Sequence, residues 1–243
     1  MKYLEDPRLA HYTNLLSDFE MGDIVLDGRV EAFSCKRAGD DKRLSRKLDR
    51  QLKQELATSP KSPAESPLGP LSESSTRNLL IDLIITMNAS FPDYDFSSLR
   101  PEQFLKESHL SFVVNDINTH LAHVDEFRIE GLTSGTEKKF LVDVWRTVED
   151  IIRLRECEVY RYIPDLDGDP FSEGTLWSFN YFFFNKALKR IIFFTCIARS
   201  KLFSSVDEED EELDSDFGDE QNETDMDAEE DFYSIRQDWE EGS

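Results

Sequence analysis

The stretch "GTLWSFNYFFFNKALKRIIFFTCIAR", Gly174–Arg199, decides the fold. It holds two runs rich in aromatic and β-branched residues, joined by the short polar segment "NKALKR", the pattern of a β-hairpin. With strand alternation, Trp177, Phe179, Tyr181 and Phe183 share one face, while Leu176, Phe182 and Phe184 share the other with Ser178 and Asn180. Both faces are largely apolar. A strand apolar on both sides belongs in the middle of a sheet that is covered on both sides. The polar residues Ser178, Asn180, Asn185, Lys186, Lys189 and Arg190 break the run well before the roughly 18 apolar residues a membrane span requires, so no membrane association is expected.

The covering helices are found upstream. Residues 75–91, "STRNLLIDLIITMNASF", carry Leu79, Leu80, Leu83, Ile84 and Met87 at helical spacing, with Ser75 or Thr76 as cap. Residues 107–127 repeat the pattern with Val113, Val114, Ile117, Leu121 and Val124, and residues 136–154 with Phe140, Val144, Trp145, Val148, Ile151 and Ile152. "DIVLDGRVEAFSCK" (23–36) reads as a strand pair or one long bent strand, and "ECEVYRYIPDL" (156–166) as a strand. The expected fold class is α+β, a central antiparallel sheet flanked by helices.

Charge divides the chain. From Asp207 onward there are 19 acidic residues against the single basic Arg236, so −18 of the total −23 lies there and residues 1–206 carry −5. Such a tail repels itself and lacks the apolar residues to offset ordering entropy, so residues 204–243 are expected to be disordered. Residues 42–76 read as a flexible linker. Their second half holds the Ser-Pro pairs at Ser59, Ser62 and Ser66, and their first half is at most a short basic helix with little apolar face to bury. Residues 1–41 and 77–203 would form one globular domain split by this excursion. An acidic chain is repelled by phosphate backbones, so no direct nucleic-acid partner is expected.

Catalytic patterns are weak throughout. Cys35, Cys157 and Cys196 form no CxxC pair, which argues against a disulfide framework or zinc ribbon and fits a reducing compartment; Cys157 and Cys196 read as buried small residues within strands. His120 and His123 lie three apart with no supporting carboxylate pattern and read as surface residues. No phosphate-binding glycine loop is present, and the N-terminal residues lack the apolar run of a signal peptide. The sharpest lure is "YIPDLDGDPF" (162–171), where Asp165 and Asp167 suggest a magnesium-dependent phosphatase. Pro170 and Leu176 spoil the calcium-loop alternative, and no βαβ units precede the segment, so an Asp/Gly/Pro turn is the plainer reading. No enzyme activity, cofactor or metal is expected.

Regulatory signals are stronger. "KRLS" sets Ser45 behind Lys42 and Arg43, as basophilic kinases require, and Ser59, Ser62 and Ser66 suit proline-directed kinases. Residues 42–53 carry net +5, and each phosphate would add roughly −1.5 to −2. Lys42, Arg43, Arg46 and Lys47 in this segment, with Lys186, Lys189 and Arg190 at the hairpin tip, are candidates for nuclear import or partner contact.

Taken in order, "GRVEAFSCKRAGDDK" (28–42), "FPDYDFSSL" (91–99), "YIPDLDGDPF" and "LWSFNYFFFNKALKRIIFF" (176–194) resemble the eukaryotic Maf repressors of RNA polymerase III transcription, a family unrelated to the leucine-zipper factors of the same name. The resemblance implies a monomeric α/β regulator that binds the clamp and winged-helix subunits of RNA polymerase III. It also implies that this blocks recruitment to the promoter-bound initiation factor containing the TATA-binding protein, lowering transfer RNA and 5S ribosomal RNA synthesis. Phosphorylation by nutrient-sensing kinases of the TOR and cyclic-AMP-dependent types would inactivate the protein and shift it from nucleus to cytoplasm, with Ser45 the best-placed target. The alternatives are the phosphatase centred on Asp165 and Asp167, or an acidic protein chaperone acting through the tail.

Overall fold

The strands β6 (Thr175–Asn185) and β7 (Arg190–Ser200) pair antiparallel at the centre of a seven-stranded sheet. The other strands are β1 (Lys2–Tyr3), β2 (Phe19–Met21), β3 (Ile24–Ser34), β4 (Phe104–Glu107) and β5 (Glu158–Tyr162). The order is β1-β3-β7-β6-β5-β4, every pairing is antiparallel, and β2 also pairs with β3. The computed structural model describes residues 1–58, 66–124, 140–164, 170–171 and 174–201. The described residues all belong to one compact unit.

Two apolar cores follow from the alternation in β6 and β7. Phe179, Tyr181 and Phe183, with Ile192, Phe194, Cys196 and Ala198, face a core closed by helices α1 (Pro7–Leu16), α4 (Leu110–His120) and α5 (Phe140–Ile152). Phe182, Ile191, Phe193 and Ile197 face a second core under helix α3 (Ser74–Ser90), which is covered in turn by helix α2 (Gly39–Thr58). Sandwiched between sheet and α2, α3 buries every residue from Leu79 to Met87. The two-sided burial inferred from the hairpin holds, with one correction. Leu176 sits at a register irregularity between Thr175 and Trp177 and is 57% exposed rather than packed on the Phe182 face, as expected where an extra residue leaves the ladder.

The structure also corrects the linker. Residues 42–58 lie within α2, because Leu44, Leu48, Leu52 and Leu56 recur every four residues and form one apolar stripe. Leu48 and Leu52 are buried against α3, while Leu44 and Leu56 are half-buried. Asp40 and Asp41 in the first turn suit the positive end of the helix dipole. Of the remaining expected linker, residues 59–65 fall outside the described residues, as does the acidic tail, and residues 66–69 form a tight turn closed by two Ser66–Gly69 backbone bonds.

Helix α1 was not expected. Its start is marked by Asp6, whose carboxylate accepts the Arg8 backbone N–H, and by Pro7 at the first helical position. The helix crosses β3 at Gly28, where a Cβ would stand 2.8 Å from Leu16 Cβ. Cys157 precedes β5 instead of lying inside a strand and is half-buried.

Candidate functional site

Ser45 lies on the face of α2 that packs against α3 and is 8% exposed. Arg37, on the approach to α2, holds it there. Its Nη1 donates to Ser45 Oγ at 2.5 Å and to Asn78 Oδ1 at 3.2 Å, and Nη2 donates to the Asn78 carbonyl at 2.9 Å. The guanidinium also pairs with Asp82, Nε at 2.8 Å and Nη2 at 2.6 Å from the same Oδ1. Burial pushes the Asp82 carboxyl above its usual range, and the adjacent Arg37 charge opposes that rise. One arginine therefore clamps two helices. Lower down, Asp49 of α2 accepts from Arg77 Nε of α3 at 2.8 Å, adding a second polar tie.

The expected flexible setting of Ser45 is thus replaced by a closed one, its hydroxyl buried between α2 and α3. Ser66 is half-buried and donates to the Gly69 carbonyl at 2.6 Å. Ser59, Ser62, Asp165 and Asp167 lie outside the described residues. Lys42, Arg43, Arg46 and Lys47 are exposed on the outer side of α2, Arg43 paired with Asp40.

The basic residues of the hairpin tip divide in two. Arg190 is not a free surface charge: its Nη1 donates to the Ile151 carbonyl at 3.0 Å, at the C-terminal end of α5. Asn185, fully buried, fixes the turn by donating Nδ2 to the Ile152 carbonyl and accepting the Leu188 N–H. Lys189 takes a left-handed φ of 52°. Lys186 and Lys189 remain exposed and border a groove of about 580 Å³ on the α3 side of the sheet. Arg37 and Lys106 also border it, Leu79, Tyr160 and Phe184 supply apolar walls, and Asp82 and Glu158 are its acids. Lys106 donates to Glu158 at 2.5 Å, which holds the Glu158 carboxyl below its usual range with a smaller contribution from Lys186. The Arg37 clamp and the two tip lysines, far apart in sequence, therefore meet at one groove.

The cysteines are held as thiols. Burial pushes Cys35 and Cys157 up to about 12, and Cys196, fully buried, higher still. His120 is not a plain surface residue, because its ring packs 4.6 Å from Trp177 and its Nδ1 lies 2.9 Å from the Asp116 carbonyl. Among the described residues no group of three or more His, Cys, Asp or Glu side chains is placed to hold a metal ion. No helix among them is long and apolar enough to cross a membrane.

Residues 26–195 match the Maf1 regulator family. The chain belongs to the Maf1 family. Among curated relatives, the "Repressor of RNA polymerase III transcription" of Dictyostelium discoideum is 36% identical over 249 residues, covering 83% of this chain and 86% of that protein. The Schizosaccharomyces pombe protein named "Repressor of RNA polymerase III transcription maf1" is 36% identical over 203 residues, covering 79% and 81%. A crystal structure of citrus MAF1 superposes with a TM-score of 0.60 at 31% identity, covering 80% of this chain and 99% of the citrus chain. The family explains the sheet and its two helical layers, while the clamp on Ser45 is read from side-chain geometry alone.

Proposed function

We propose that this chain represses RNA polymerase III transcription by binding the polymerase at its clamp and winged-helix subunits. Bound there, it keeps the enzyme from the initiation factor containing the TATA-binding protein, and phosphorylation of Ser45 ends the repression. The names of its curated relatives support the first part. The single observation that carries the second is the burial of Ser45 beneath Arg37.

A phosphate at Ser45 opposes the docked helix in three ways. It is too large for a site that accepts a hydroxyl 8% exposed. It adds roughly −1.5 to −2 charge at a guanidinium, Arg37, that the buried Asp82 already pairs with. It also places that charge four residues from both Asp41 and Asp49, where like charges destabilise a helix by a few tenths of a kcal/mol each. Holding α2 down are Leu48 and Leu52, whose burial is worth roughly 1.5–3 kcal/mol each before ordering costs, together with the Arg37 and Asp49–Arg77 ties. Burying an ionised group costs several kcal/mol, and Arg37, already committed to Asp82, offsets only part of that cost, so the phosphate weakens the hold of α2 on α3. Kinases of the TOR and cyclic-AMP-dependent types, reading nutrient and stress state, are the expected writers, with Ser59, Ser62 and Ser66 as further targets. The unphosphorylated protein acts in the nucleus and the phosphorylated one moves to the cytoplasm.

An order-of-addition assay tests the repression step. Purified chain added before the polymerase should abolish promoter-dependent transfer RNA synthesis, while the same amount added after stable pre-initiation complexes have formed should leave the first round intact. Equal inhibition in both orders, or none in either, refutes a block of recruitment.

A further inference from the structure

We propose that the groove between the β6–β7 turn and α3 is a binding site for a short acidic peptide segment of a partner protein, one carrying a large apolar side chain. This does not depend on the polymerase reading. Four cations border the groove, Arg37, Lys106, Lys186 and Lys189. Arg37 and Lys106 are already paired with the groove's own acids, Asp82 and Glu158. Lys186 and Lys189 have no ion pair among the described residues, and both are exposed. The uncompensated charge of the groove is therefore +2, on a body whose residues 1–206 carry −5.

The two lysines are not on a loose loop. Asn185 ties the turn to α5 from inside, and the Cys35 N–H donates to the Lys189 carbonyl at 2.9 Å, fixing the turn to the residue that follows β3. The charges are thus presented at set positions, which lowers the ordering cost of binding. Leu79 of α3 and Tyr160 and Phe184 of the sheet line the same groove, so a ligand that satisfies the lysines also meets apolar wall. The volume of about 580 Å³ is within the range of small-ligand and peptide pockets, roughly 300–1,000 Å³. A nucleic acid is the poorer match, since Asp82 and Glu158 would repel a run of phosphates and binding of that kind relies on many cations in a row. An acidic peptide places two carboxylates on the lysines and one apolar side chain on the wall.

The test is fluorescence anisotropy with the full chain at about 50 mM and about 200 mM salt. The probes are dye-labelled decapeptides of Glu and Asp with one central Phe, the same peptide with Ser for Phe, its Lys-rich counterpart, and a single-stranded oligonucleotide. The acidic Phe peptide should bind most tightly, weaken with salt, and weaken about tenfold in K186E/K189E, since two exposed ion-pair contacts are each worth a factor of a few. A control variant, R46E/R50E on the outer side of α2, carries the same charge change and should retain binding within about twofold. Circular dichroism melts of both variants should match the parent, because these side chains are exposed. Equal weakening in the control variant, tighter binding of the oligonucleotide, no difference between the Phe and Ser peptides, or no peptide binding at all would each overturn the proposal.

Discussion

Replacing Arg37 with methionine isolates the clamp. The guanidinium meets Asp82 with two contacts of 2.8 and 2.6 Å, and the Asp82 side chain is only 10% exposed. Methionine keeps the aliphatic volume but leaves the carboxylate without its charge partner, a change that costs about 3–5 kcal/mol when the charge must stay. Proton uptake caps that cost. Neutralising an ordinary carboxyl of pKa about 3.9 at pH 7 costs roughly 4 kcal/mol at about 1.36 kcal/mol per unit, and at pH 5.5 roughly 2 kcal/mol. The lost bonds to Ser45 and Asn78 add about 1 kcal/mol at either pH. In the parent chain burial already lifts Asp82 above 3.8, so the folded state holds this proton more tightly than the unfolded state. Asp82 therefore favours folding increasingly as pH falls through that window. Without Arg37 the window widens upward, so the loss is greatest at neutral pH and shrinks on acidification. Urea denaturation should show R37M weaker than the parent by up to about 5 kcal/mol at pH 7 and up to about 3 kcal/mol at pH 5.5, a pH still above the isoelectric point of about 4.5. Amide hydrogen exchange should rise first in residues 39–58. An equal loss at both pH values, or unchanged exchange in α2, would refute the clamp.

Asn185→Ala removes both ties of the fully buried turn residue and should cost about 2–3 kcal/mol in the same urea assay, while Lys186→Ala should cost less than about 0.5 kcal/mol. Gly28→Ala drives a Cβ to 2.8 Å from Leu16 Cβ and should cost about 1–3 kcal/mol through overpacking of α1 on β3, seen as a lowered thermal midpoint. Leu48→Ala, at a position 5% exposed, should loosen α2 by about 2 kcal/mol or more and speed phosphorylation of Ser45 by a basophilic kinase in a timed labelling assay. A rate equal to that of the parent would show that Ser45 is reached without lifting α2.

The hairpin was the most legible part of the sequence, because period-two alternation with apolar residues on both faces has few structural solutions. The three helices packed from opposite sides onto it, α3, α4 and α5, were legible from apolar residues at helical spacing, although the α4 helix ends at His120. The buried face of helix α2 was not legible, because the leucines at 44, 48, 52 and 56 form a stripe only one residue wide among six basic residues between 42 and 53. Such a stripe suffices where the partner, α3, is itself apolar on the facing side. Helix α1 was not expected, although Asp6 and Pro7 form a cap signal that is informative even where the following residues are mixed. The site was half legible. Ser45, Lys186 and Lys189 could be named from local pattern, but Arg37 and Asp82, 45 residues apart, carry no local signature. Their pairing depends on α3 crossing behind the end of β3, which only the folded chain reveals. Arg190 was indistinguishable from its lysine neighbours until the C-terminal end of α5 was found above it.

The most direct test is binding of purified RNA polymerase III to the chain in two forms, unmodified and phosphorylated stoichiometrically at Ser45, measured by co-sedimentation at matched salt. The unmodified chain should co-sediment and the phosphorylated chain should bind at least tenfold more weakly, with raised hydrogen exchange confined to residues 39–58. Absence of binding by the unmodified chain would contradict polymerase docking, and equal binding by both forms would contradict control through Ser45.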